Sequence, residues 1–295
     1  MDLFTVKGEP HDDAALAEVL GRFGFRGVSI MVASSLLGFG RPSGPAILPR
    51  LLELLVGAVG PEGTVIIPAY TFSAYKNEVF DPATSKGLGS LADAAQRGGR
   101  FARTVHPVYS HLVCGRHAGH LAASPPTTCF GPNSFFARFA ALDDARLVLL
   151  GGNLNMLTIW HLYDQLHSVP WRFVKTFRGR IKTEAGVEEI GFDSCVKRHE
   201  AYAGRAYCFD KLDVVARMVG SLDRHPYAAS FVSSIAQRDL ERLYRAAVAT
   251  DPDYFLFGGK EELDAYYFRN ELDAARANLD GARVKRIVGA IQDVC

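Results

Sequence analysis

The sequence predicts an α/β fold, a mixed central β-sheet flanked by helices, carried as a single domain over residues 1–295. Three observations lead there. The short runs VSIMVA (Val28–Ala33), TVIIPAY (Thr64–Tyr70) and RLVLL (Arg146–Leu150) are too uniformly apolar for strands with one wet face, so they read as interior strands. Helical patterns fall between them. A chain of 295 residues, 48% of them hydrophobic, holds enough apolar material for one large core.

Taken in order, Asp12–Phe23 reads as an opening helix, capped by Asp12 or Asp13 and closed by Gly24. The strand at Val28–Ala33 leads into the loop SSLLGFGRPSGP, and a second helix runs from about Ala46 to Val59, ended by Gly60-Pro61. Pro68 marks where the strand at Thr64–Tyr70 leaves its ladder. The aromatic-rich stretch at 71–90 reads as a long loop, and such loops in compact domains tend to be functional. Leu91–Gln96 suggests a short helix, and Arg103–Gly115 a turn feeding a strand. Beyond residue 165 the alternation weakens. Asp239–Val248 is the clearest helix there, with Leu263–Leu279 and Ala282–Val294 as two more.

Composition excludes several classes. A formal net charge of +1 without a long basic block argues against nucleic acid as the main partner. No run of about 18 apolar residues suggests a membrane span, and MDLFTVKGEPHDD lacks the pattern of a secretory signal. Five scattered cysteines, none in a CxxC pair, read as reduced thiols of a cytoplasmic protein.

Individual motifs discriminate poorly. Gly38, Gly40 and Gly44 mimic a dinucleotide fingerprint, but the third glycine is one residue late and no acidic partner follows at the required distance. The cluster His106, His111, Cys114, His117 and His120 matches no metal-ligand spacing with a geometric reason, so no metal is expected. Neither a GxSxG elbow nor a Walker loop is present. The loop Ser34-Ser35-Leu36, between a strand end and a helix start, offers hydroxyls and backbone N–H groups to a phosphate or pyrophosphate; an ordinary turn would use the same residues.

The most informative segment is RLVLLGGNLNMLTIWHLYD, residues 146–164. Gly151 and Gly152 end the strand, Asn153 and Asn155 suit a turn, and Thr158 is a candidate N-cap. His161 then falls in the first turn of a helix, with Asp164 on the same face. An imidazole beside a carboxylate near a buried strand's end suits a general base and its orienting partner, or else an amphipathic helix whose histidine packs under a loop.

In sequence order these pieces resemble the aminoglycoside 3-N-acetyltransferases. The resemblance covers about residues 28–180: VASSLLGFG, PEGTVIIPAYTFS, KNEVFDP, GSLADAAQR for a Gly-x-Leu-x-Glu segment, HPVYS for His-Pro-x-x-Ser, FGPNSFFARF, and LLGGNLNMLTIWHLYD for Thr-x-x-His-x-x-Glu. Asp164 stands where the family has Glu, Asp93 replaces another Glu, and Asn155 occupies an acidic position. Arg103-Thr104-Val105 replaces an Arg-Ser before His-Pro.

The resemblance implies transfer of an acetyl group from acetyl-CoA to a primary amine of an amino sugar, an aminoglycoside or a related biosynthetic intermediate. His161 would be the base and Asp164 its partner. Ser34, Ser35, Leu36, Arg103, His106 and Ser110 would contact CoA, and Tyr70, Glu78, Asp93, Asn155 and Arg172 the acceptor. Arg172 and Lys175, in the WRFVK stretch after the catalytic helix, would suit an anionic acceptor, or would be solvated surface charges. A non-catalytic binding protein, a CoA-thioester hydrolase and a homodimeric assembly stay open as alternatives.

Overall fold

Strand Ser29–Ser34 is the axis of the fold. It pairs in parallel with Thr64–Pro68 on one side and with Ala145–Leu150 on the other. The computed structural model describes residues 1–84, 87–269 and 281–292. Thr64–Pro68 pairs antiparallel with His111–Gly115, which pairs antiparallel with Ala102–Arg103. Beyond Ala145–Leu150 come Ser230–Ala236 and then Leu222–Tyr227, completing a mixed seven-stranded sheet. The three predicted interior strands are therefore neighbours at its centre, and their apolar uniformity follows from burial of both faces: Ile30, Val32, Val65, Ile66, Val148 and Leu149 are each at most 1% exposed.

The chain divides into two compact units. The first comprises residues 1–152, 175–194 and 224–234. Helix Asp13–Arg22 starts where the sequence indicates, with the Asp12 carboxylate accepting from Ala15 N at 2.8 Å. Helix Ile47–Val59 turns Leu51, Leu52 and Leu55 inward and ends at Gly60, whose φ of 67° suits glycine. Helix Ser90–Gly98 is one turn longer than its apolar pattern suggests.

Several features of this unit escape sequence reading, among them the strands between residues 172 and 236 and two near its start. The first twelve residues form an antiparallel hairpin, Asp2–Val6 with Glu9–Asp12, in which Leu3 and Phe4 are fully buried. The expected loop at 71–90 contains a two-residue strand, Val79–Phe80, paired in parallel with the strand Arg172–Thr183 through Arg180 and Ile181. Two residues are too few to show a period, so a non-local ladder had no local signature.

Gly38 and Gly151 bring two loops at the sheet's edge together. A Cβ on Gly38 would lie 2.6 Å from the carbonyl oxygen of Gly151, and one on Gly151 would lie 2.6 Å from that of Ser35. Gly151 also sits at φ 70°. The glycines that mimic a nucleotide fingerprint thus serve backbone packing. Gly38→Ala should cost about 1–3 kcal/mol, because the obstacle is main chain and cannot rotate away; a thermal melt within 1 °C of wild type would contradict this.

The second unit comprises residues 153–174, 195–223 and 235–295. Its described helices are Trp160–Leu166, Leu212–Met218, Gln237–Thr250, Lys260–Arg269 and Gly281–Gln292. Asp239–Val248 is the core of the third, and the expected helix at Ala282–Val294 coincides with the last as far as Gln292. Residues 270–279 of the expected Leu263–Leu279 helix lie outside the described residues. Aromatic side chains fill this unit: Trp160 stacks on Phe209 at 4.9 Å, and Tyr244 on Phe255 at 4.9 Å.

Candidate functional site

Helix Trp160–Leu166 carries the histidine, but its start differs from the expected one. Thr158 is not the N-cap. The cap position is Ile159, already in helical conformation and without a side-chain hydrogen bond; a single turn of 3-10 helix at Leu154–Met156 precedes it, separated by the extended Leu157. Thr158 contributes its carbonyl, which accepts from His161 N at 3.1 Å. Trp160 anchors the helix by donating Nε1–H to Leu154 O at 2.6 Å.

One turn of this helix places His161 Nδ1 3.1 Å from Asp164 Oδ2. The Asp164 side chain is fully buried, whereas that of His161 keeps 23% exposure. Two groups the sequence did not connect complete the arrangement. Arg172 Nε lies 2.6 Å from Asp164 Oδ2, and the Tyr244 hydroxyl donates to Asp164 Oδ1. The Arg172–Asp164 contact is an ion pair; Nη1 of Arg172 donates to Cys195 O at 3.0 Å, and the guanidinium lies over the Tyr207 ring at 5.3 Å. Arg172, expected to face an acceptor, is therefore committed to Asp164: a buried carboxylate needs a counter-charge, and this guanidinium supplies it.

The electrostatics follow from this geometry. Burial lowers the His161 pKa from its ordinary 6.5; the hydrogen bond to Asp164 opposes that shift, and the Arg172 charge reinforces it. Since an ionised carboxylate only accepts, Nδ1 carries the ring proton and Nε2 is left as the basic nitrogen. Burial, with the Asp164 charge beside it, raises the Tyr244 pKa far above its ordinary 10, so this group stays a phenol and a donor. The Cys195 thiol is pushed up to about 11 by burial and is no nucleophile at neutral pH.

Asn155 belongs to the same unit and acts as a clamp. Its Oδ1 accepts from Phe209 N at 2.7 Å and Asp210 N at 3.2 Å, tying the 3-10 turn to the segment after Cys208. This carbonyl is engaged by two backbone donors.

The other expected residues lie in the first unit. Ser34 and Ser35 are half-buried at the strand's end, where Ser35 N donates to Leu150 O at 2.8 Å. The Leu36 side chain is in the core, so only its backbone could meet a ligand. Arg103 is saturated: Nε and Nη2 reach Ser110 Oγ at 3.2 Å, Nη2 reaches Ala69 O at 3.2 Å, and Nη1 reaches Pro82 O and Thr84 O at 3.2 and 2.5 Å. Ser110 Oγ donates to Ala69 O at 2.6 Å. Arg103 and Ser110, expected at CoA, thus form a knot that secures the 71–90 segment, because the carbonyls of an irregular loop need donors. Burial brings the Arg103 pKa down to about 10, so it remains charged.

His106 accepts at Nδ1 from Val108 N and Tyr109 N, at 3.1 and 3.0 Å, and burial takes its pKa down to about 4. It is a neutral structural imidazole at pH 7. Tyr70 packs edge-on to Tyr109 and His111. Glu78 is exposed and lines a groove with Glu189, Arg178 and Arg180. Asp93 is half-buried, and its Oδ1 makes no hydrogen bond to the described residues.

Comparisons with known proteins converge. The sequence model for aminoglycoside 3-N-acetyltransferase matches residues 31–240. The aminoglycoside N(3)-acetyltransferase IV of Salmonella sp is 34% identical over 125 residues, which are 41% of this chain and 46% of that protein; the chain thus matches about half the length of this curated relative. The apoenzyme structure of aminoglycoside acetyltransferase AAC(3)-IVa superposes with a TM-score of 0.65 at 25% identity, covering 82% of this chain and 90% of that one. AAC-IIIb, solved as a binary complex with CoASH, shares the fold with a TM-score of 0.65 at 20% identity over 79% of this chain and 94% of that one.

Proposed function

This chain belongs to the aminoglycoside 3-N-acetyltransferase family, a family of N-acetyltransferases, and from that membership we propose that it transfers an acetyl group from acetyl-CoA to a primary amine of an amino sugar or aminoglycoside. Residues 1–295 then act as a single acyl-transfer domain. The observation that carries the reading is the neutral His161 held by a buried Asp164. A primary alkylammonium is mostly protonated at neutral pH, so its nitrogen must lose a proton before or during attack on the thioester. One proton of the ammonium passes to solvent and frees the lone pair; His161 takes the second from that nitrogen on Nε2 as the nitrogen–carbon bond forms and the carbon–sulfur bond breaks, then returns it to the departing sulfur, leaving a neutral amide, a free thiol and one proton in solvent. Asp164 fixes the ring's tautomer and stabilises the imidazolium that forms.

The binary complex of AAC-IIIb with CoASH supports CoA as the carrier. Ser34, Ser35 and the backbone of the His106–Ser110 segment remain the proposed CoA contacts, on the resemblance of these motifs. Glu78, exposed beside Glu189, and Asp93 are the proposed acceptor carboxylates. With Arg172 paired to Asp164, one of the two cations that suggested an anionic acceptor is taken up, which favours a cationic amino sugar. No helix among the described residues is long and apolar enough to cross a membrane. We place the reaction in the cytoplasm, where reduced cysteines and acetyl-CoA are compatible.

The test is thiol release from acetyl-CoA with and without a panel of amines. Amine-dependent release supports the transferase, amine-independent release would make the protein a hydrolase, and silence across the panel would make it a binding protein. The pH profile adds a sign. The active form of His161 is the neutral one, and burial lowers its pKa in the substrate-free protein, so kcat/KM for acetyl-CoA should fall with an acid limb centred below 6.5. A limb centred at or above 7 contradicts the assignment.

A further inference from the structure

Arg172 is engaged on three sides: Asp164 at Nε, the Cys195 carbonyl at Nη1, and the Tyr207 ring against its plane. Only 10% of its side chain is exposed. Tyr244 is fully buried in the middle of helix Gln237–Thr250, and its hydroxyl ends on the carboxylate oxygen that His161 does not use. Asp164 is thus held from three directions by residues 3, 8 and 80 positions away in the chain.

We infer that Arg172 and Tyr244 are positioning residues for the His161 base, holding the Asp164 carboxylate in register against the imidazole ring. The inference rests on the reading of His161 as base and deepens it. Physically, a carboxylate with no exposed side-chain surface would otherwise lack a counter-charge and be free to rotate away from the imidazole. The guanidinium supplies the counter-charge, and the phenol fixes the carboxylate's rotation by occupying Oδ1, leaving Oδ2 toward the ring. Arg172 also opposes a second positive charge on His161, a few ångströms away across the shared oxygen.

The groups facing this cluster can be named element by element. Helix Gln237–Thr250 supplies Tyr244 and, a turn earlier, Glu241, which pairs with His167 at 2.8 Å beside the Tyr244 ring. The strand Gly186–Lys197 supplies Cys195 and Lys197, and the strand Ala206–Tyr207 supplies Tyr207. Cys195 and Tyr207 are uncharged at neutral pH, their pKa values raised by burial to about 11 and 12. Lys197 donates to Arg205 O at 2.6 Å and lies over the Tyr207 ring. Among these, Arg172 is the cation in direct contact with Asp164.

The experiment is an NMR titration of the His161 ring in the substrate-free protein, its signal assigned by loss in His161→Ala. In Arg172→Gln the His161–Asp164 pair should take up its proton about one pH unit higher or more, whichever of the two groups holds it. Arg172→Lys should return the titration most of the way to wild type. Tyr244→Phe should move it upward less, and should lower kcat roughly tenfold while leaving the KM for acetyl-CoA within about twofold. A folded Arg172→Gln protein with an unmoved titration overturns the inference. If that variant does not fold, Tyr244→Phe decides: an unmoved titration together with unmoved kcat overturns it equally. The titration needs no substrate, so a wild-type protein that transfers no acetyl group would sink the proposed reaction and leave this inference separately measured.

Discussion

Replacing His161 with Ala is expected to lower amine-dependent turnover by about 100- to 10,000-fold, the range for loss of a positioned general base. The KM for acetyl-CoA should stay nearly unchanged, because the base acts on the amine and not on the thioester's carrier. The His161 side chain keeps 23% exposure, so the variant should remain folded and its loss should be chemical. Raising the pH should partly rescue it, since free amine then becomes available without a base. The assay is thiol release at saturating acetyl-CoA over a range of amine concentrations. A variant that keeps most of its amine-dependent activity would remove His161 from the reaction. His106 would not replace it easily, because its Nδ1 is already engaged by two backbone donors.

Replacing Asp164 with Ala is expected to give the largest loss of stability, about 3–5 kcal/mol, the range for breaking a buried ion pair by removing one partner. Arg172 would be left almost fully buried with its charge uncompensated, and Tyr244 would keep a buried hydroxyl without its acceptor. The midpoint of denaturant unfolding should fall accordingly, with little change in slope. Asp164→Asn should separate stability from catalysis. It preserves shape and one acceptor oxygen but removes the charge that stabilises the imidazolium, so turnover should drop by less than in His161→Ala. Combined with His161→Ala, its effect on rate should be less than additive if the two side chains act as one unit. An Asp164→Ala protein with wild-type stability would show that Arg172 is solvated in solution.

How much of this was legible in the sequence varied with the range of the interaction involved. Strands at Ser29–Ser34, Thr64–Pro68 and Ala145–Leu150 announced themselves because strands buried on both faces must be apolar throughout. The helix Asp13–Arg22 was equally plain, since its cap is a local hydrogen bond from Asp12. The His161–Asp164 contact was legible for the same reason: it spans one helical turn, and helical periodicity alone puts the two side chains on one face.

What the sequence could not supply was partnership across long separations. Arg172 looked like a free cation beside a site, because nothing local distinguishes a solvated arginine from one pressed onto a buried carboxylate. Tyr244 looked like one more apolar-face residue of an amphipathic helix, 80 positions from the carboxylate it bonds. Arg103, Ser110 and Asn155 carry the motif types of ligand-binding residues, and nothing in the sequence signalled their hydrogen bonds to loop carbonyls and backbone amides. A polar side chain's chemistry is written in the sequence, but its partner is chosen by which backbone groups folding leaves unsatisfied nearby. The sequence by itself therefore determined the sheet's centre, the family and the contact between His161 and Asp164. The tertiary structure alone decided what holds that carboxylate, because burial creates the demand for a counter-charge, and only the packed chain determines which cation meets it.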